Sequence, residues 1–150
     1  MKKLLLALLM TLPTAGSAKD LSPWSIDWEC TAVSTIDWDA HNQGDVILYY
    51  NLVTNTVNIG LHNRRFGFNK DFDGPVQVQM GAKFKATVHA YGFAETQLLV
   101  LKIPYSKDME SNLIRAPFIK VSAAGETFMT LQLNKVGQAV EMIYRCYGYP

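Results

Sequence analysis

Three stretches of the chain carry side chains suited to chemistry. Asp37, Asp39, His41 and Asp45 place carboxylates and an imidazole close together, a set that can bind a metal or exchange protons. Their spacing matches no ligand signature, and a solvated, turn-rich loop accounts for the same residues, so no metal site is expected. Asn69, Asp71, Asp73 and Gly74 imitate the opening of a calcium loop, where oxygen ligands alternate before a sharp bend. The position that needs a bidentate Glu is Met80, and strand patterning resumes over 75–78, which leaves a plain turn at 71–75. His62, Arg64, Arg65, Phe66 and Phe68 form the densest basic and aromatic patch, with the composition of a recognition hot spot. This is the leading candidate binding surface. The alternative is a strand edge with Phe66 and Phe68 facing the core and the arginines solvated.

No nucleophile elbow, phosphate-binding glycine loop or paired-histidine zinc motif occurs, so no catalytic residue and no cofactor is assigned. An enzyme acting on envelope polymers would have to gather several of Asp37, Asp39, His41, Asp71 and Asp73 in one concave site. Tyr144, Tyr147 and Tyr149 either cover the core or line a protein or glycan contact surface. Cys30 and Cys146 are the only cysteines and lie in neither a Cys-x-x-Cys pair nor an activating cluster. They are expected to bond to each other.

A disulfide requires an oxidising compartment, and the N-terminus supplies the route. Lys2 and Lys3 precede an apolar stretch from Leu4 to Leu12 that is too short to span a bilayer. Gly16 and Ala18 then suit a signal-peptidase cut after Ala18. Residues 1–18 therefore read as a signal peptide and 19–150 as one exported domain, periplasmic or secreted. Lys19 stands where a lipid-anchored protein would carry cysteine. The formal net charge of the chain is +1, and loss of Lys2 and Lys3 leaves it near neutral. A near-neutral domain lacks the basic field that drives nucleic-acid binding, so no nucleic-acid partner is expected and no transmembrane segment remains after cleavage.

The elements that must position these residues are mostly strands. Trp24, Ile26, Trp28 and Cys30 alternate with polar residues, which predicts a first strand carrying all four inward. An apolar run over 45–52, a turn near Thr54 and Asn55, and Val57, Ile59 and Leu61 predict a hairpin. Further strands are predicted from Val76 to Met80, from Phe84 to Val88, over 96–103, from Phe118 to Ala123 and from Thr127 to Leu133. Ser106 caps a short helix with Met109, Leu113 and Ile114 on one face, and Pro117 ends it. Asn134 caps a C-terminal helix whose inner face holds Val136, Ala139, Val140, Ile143 and Cys146 or Tyr147. The expected fold is mainly β: an antiparallel β-sandwich or curled sheet of seven or eight strands, with a short helix and a C-terminal helix.

Trp28-x-Cys30 behind a leader, a run of strands, and Phe128-Met129-Thr130-Leu131-Gln132-Leu133 before Gly137, Ala139 and Cys146 resemble exported bacterial proteins of the invasion-associated locus B type. The resemblance implies a small periplasmic or secreted β domain and no catalytic residue. The resulting expectation is a soluble exported module that binds another protein at the cell envelope or host interface. Alternatives are an inhibitor of a lytic enzyme, which calls for a projecting loop, an immunity protein for a toxin, and an envelope-polymer hydrolase.

Overall fold

The computed structural model describes residues 24–39, 42–64, 66–123, 125–133 and 135–149. Residues 1–18, read above as a signal peptide, together with His41, Arg65 and the expected cap Asn134, lie outside them. Nine strands form one curled antiparallel sheet, a half-barrel, rather than a sandwich of two. They are β1 (Ser25–Ile26), β2 (Ala32–Asp39), β3 (Asn42–Asn51), β4 (Thr56–Asn63), β5 (Phe72–Met80), β6 (Phe84–Phe93), β7 (Leu98–Pro104), β8 (Phe118–Ala123) and β9 (Glu126–Gln132). Among the described residues two helices complete the fold, α1 (Lys107–Arg115) and α2 (Val136–Cys146).

The order across the sheet is β1-β2-β3-β4-β7-β6-β5-β8-β9. Two meanders, β1 to β4 and β5 to β7, are therefore joined by the pairing of β4 with β7. α1 then carries the chain from β7 to β8, beside β5.

Alternation along each strand sends one set of side chains to a common face. Leu48, Ile59, Leu101 and Ala90 lie in one row across β3, β4, β7 and β6, and Tyr50, Val57 and Ile103 in the next row of that face; all are buried. The helices close this face. Met109 and Leu113 of α1 and Val136, Ala139, Val140 and Ile143 of α2 are buried, and α2 packs on β1, β2, β3 and α1. Ile114, expected on the inner face of α1, is half-exposed, a turn-edge position. As expected, Ser106 Oγ accepts the Met109 N–H at 3.0 Å. α2 instead begins behind Lys135, which sits in the left-handed region at φ 58° with no side-chain cap.

Three local expectations differ from the structure. The first strand stops at Ile26, because Asp27 Oδ1 accepts the N–H groups of Glu29 and Thr31, both at 2.9 Å, and bends the chain into a turn. Trp28 thereby points outward, while Trp24 and Cys30 stay buried. Asp37 and Asp39 lie in β2 and Asp45 in β3, opposite Thr35, instead of together in a loop. Finally, Asp73-Gly74-Pro75 lies within β5. Pro75 pairs opposite His89 on one side only, since β8 joins β5 from Gln77 onward, and a strand position open on one side is the setting in which a sheet accepts proline.

Candidate functional site

The basic and aromatic patch is split by the fold. Phe66 and Phe68 are buried in the core with ring centroids 5.4 Å apart, while Arg64 is exposed. His62 points outward from β4 with Nδ1 3.4 Å from Asp45 Oδ2. Gln97, at φ 52°, holds the segment after β4 in place. Its amide donates to Phe68 O and accepts from Phe68 N, each at 2.9 Å. Gly92 leaves room for this, since a Cβ there would come within 3.2 Å of Phe72 Cβ and 3.5 Å of the Phe68 ring. Of the patch, then, His62 and Arg64 face solvent and the phenyl rings serve packing.

The acidic residues do not converge. β2, which carries Asp37 and Asp39, and β5, which carries Asp73, are five strand spacings apart in the sheet order, roughly 24 Å along it. Asp71 Oδ1 accepts the Ala94 N–H at 2.9 Å, and Asp73 pairs with His89 on the outer face. Lys102 Nζ lies 4.8 Å from the centroid of the Tyr91 ring next to that pair. Among the described residues, no three His, Cys, Asp or Glu side chains come together as metal ligands would.

A different set of residues does converge, at the end of the sheet where the β1–β2 turn, the β3–β4 turn and the C-terminus of α2 meet. Cys30 and Cys146 are bonded there, with Cα atoms 5.5 Å apart. Tyr147 Oη donates to Tyr50 O at 3.3 Å, and Tyr105 N donates to Asn55 O at 2.9 Å. Glu110, in the first turn of α1, is the hub. The hydroxyls of Tyr50 and Tyr144 both donate to its Oε1, and Tyr105 Oη lies 3.5 Å from its Oε2. Burial, reinforced by the Glu110 carboxylate, raises the Tyr50 and Tyr144 phenols well above their ordinary value near 10. Neither phenol is therefore a base or nucleophile at neutral pH, and the cluster is built to hold a negative charge in place.

Around this hub stand large apolar side chains that the fold leaves in water. Trp28 is 88% exposed, Leu52 62%, Val53 96%, Tyr147 36% and Tyr149 54%. They come from three segments distant in sequence. Two of the tips are tied by side-chain hydrogen bonds: Asn51 Oδ1 accepts the N–H groups of Val53 and Thr54 at 3.1 and 3.0 Å, as Asp27 Oδ1 accepts those of Glu29 and Thr31 in the turn of Trp28. This end is opposite the one that carries His62 and Arg64, because β4 runs the length of the sheet from Thr56 to Asn63.

Of this surface, the sequence pointed only to Tyr144, Tyr147 and Tyr149. Tyr50 read as the end of an apolar strand, Glu110 as a helix-start residue and Trp28 as core. The one available signal for Leu52 and Val53 was an apolar pair set among the turn residues Asn51, Thr54 and Asn55. Compared with family models, with curated proteins and with solved structures, the chain matches none.

Proposed function

We propose that this chain is an exported module that works by binding another protein, at the cell envelope or outside it, through its disulfide end. The observation that carries this reading is the gathering of exposed Trp28, Leu52, Val53, Tyr147 and Tyr149 at one end. Exposed apolar side chains scattered singly need no explanation, but a cluster from three segments marks an interaction surface, and Trp and Tyr are the residues that dominate binding hot spots. The Cys30–Cys146 bond supports an oxidising compartment. The leader read over 1–18 supplies the route there.

A second reading within the same class, an inhibitor of a lytic enzyme, is favoured by the β3–β4 tip, where Leu52 and Val53 project as a plug for a cleft would.

Replacing Trp28 with Ala and Val53 with Ser together tests the proposal. Both side chains make little contact within the chain, so stability should change by less than about 1 kcal/mol. Capture of partner from envelope and medium by the disulfide-bonded protein should fall at least tenfold. Undiminished capture by this variant, with loss on replacing Arg64 and Arg65, would move the site to the opposite end of the sheet.

A further inference from the structure

Among the described residues, the charge inside the disulfide end has no ion-pair partner. Glu110 is half-buried, and its described hydrogen-bond partners are the three phenols. Among the described residues, no Lys, Arg or His nitrogen lies within 4.0 Å of it, and Arg145, next to Tyr144 in sequence, is held by Glu141. The two carboxylate oxygens are also unequal. Oε1 takes the hydroxyls of Tyr50 and Tyr144, whereas among the described residues Oε2 has only the 3.5 Å approach of Tyr105, at the outer limit of a hydrogen bond. A carboxylate has about four acceptor positions, so Oε2 retains unused capacity.

Aromatic rings surround that oxygen's carboxylate. The Tyr50 ring lies 5.6 Å from that of Tyr144 and 6.0 Å from that of Tyr105, and Tyr149 meets Tyr144 edge-on at 6.1 Å. A half-buried negative charge and ring faces both attract a cation. Of the cations that a protein can present, guanidinium is planar and weakly hydrated, forks onto a carboxylate and stacks on aromatic faces. We propose that Glu110, with the rings of Tyr105 and Tyr144, receives an arginine side chain of the protein that docks on this end. The inference rests on the binding reading above and names the chemistry that the partner must bring. Trp28 and Tyr147 at the rim then cover the apolar stem of that arginine and its neighbours.

The test uses N-acetyl-arginine methylamide against its citrulline analogue, which has nearly the same shape and no charge. The disulfide-bonded protein is followed by NMR of its tyrosine rings. Saturable shifts at Tyr105 and Tyr144 are expected with arginine, and shifts at least tenfold weaker with citrulline. In Glu110→Gln the phenols still find an amide oxygen, so the fold should persist and the arginine response should vanish. Equal responses to the two probes, or an unchanged response in Glu110→Gln, would overturn the proposal. Tyr105→Phe removes the long approach to Oε2 and the hydroxyl's interaction with that of Tyr144, and keeps the ring. It should retain the arginine response, and its loss in a folded Tyr105→Phe protein would count equally against the proposal. Partner capture that depends on Trp28 and Val53 but survives Glu110→Gln would remove the arginine and leave the binding reading standing.

Discussion

Glu110 joins segments that are far apart in sequence, since Tyr50, Tyr105 and Tyr144 reach it from the end of β3, the turn before α1 and the last turns of α2. Its place at the start of α1 favours a negative charge, because the unpaired N–H groups of a first helical turn carry partial positive charge. The phenols keep their protons to higher pH in the folded chain than in the unfolded one. Their contribution is thus fully present below pH 10 and is lost as the pH rises above it, where the unfolded state releases protons that the folded state retains. Urea midpoints measured from pH 8 to 11.5 should fall above pH 10, with Tyr50 adding up to about 1.4 kcal/mol per pH unit to the slope. Tyr50→Phe should lose about 1 kcal/mol at neutral pH and show a flatter decline above pH 10.

At the scale of elements, the helices depend on a few side chains. Ser106→Ala removes the acceptor for the Met109 N–H and should cost about 1 kcal/mol, read as a shift in urea midpoint. Ile143→Ala should cost about 2–5 kcal/mol, because Ile143 is fully buried where α2 closes the sheet. The alternation of Val57, Ile59 and Leu61, of Val76, Val78 and Met80, and the helical spacing of Val136, Ala139, Val140 and Ile143 made most elements legible, since period is a local property of a sequence. What escaped was decided elsewhere. Trp28 has the right parity for a buried strand position, yet a single Asp27 side chain bends the backbone before it. Asp73-Gly74-Pro75 has turn composition, yet the partial pairing of β5 accepts it in a strand. The candidate site was the least legible part, because β4–β7 pairing and helix closure bring its residues together across long separations. Only the tail tyrosines advertised it.

For the molecule as a whole, the disulfide links the turn after β1 to the last residue of α2, across a separation of 116 residues. Reduction should lower stability by roughly 4 to 5 kcal/mol in the chain-entropy model, measured as the change in urea midpoint with and without reductant. It should also loosen the tips that carry Trp28 and Tyr147 together, so reduced protein should capture partner less well even where it remains folded.

The same bond bears on the order of assembly. The β3–β4, β5–β6, β6–β7 and β8–β9 hairpins each join neighbours in sequence and require only short loops to close. The pairing of β4 with β7 spans more chain, and the seating of α2 on β1 and β2 spans nearly all of it. Loop-closure entropy grows with separation, so contacts between neighbours form quickly and those between distant segments slowly. The native seating of α2 is what holds Cys146 beside Cys30. A time course of thiol loss during refolding therefore times the arrival of α2 on β1 and β2, and comparison with the recovery of the sheet's circular-dichroism signal shows which comes first.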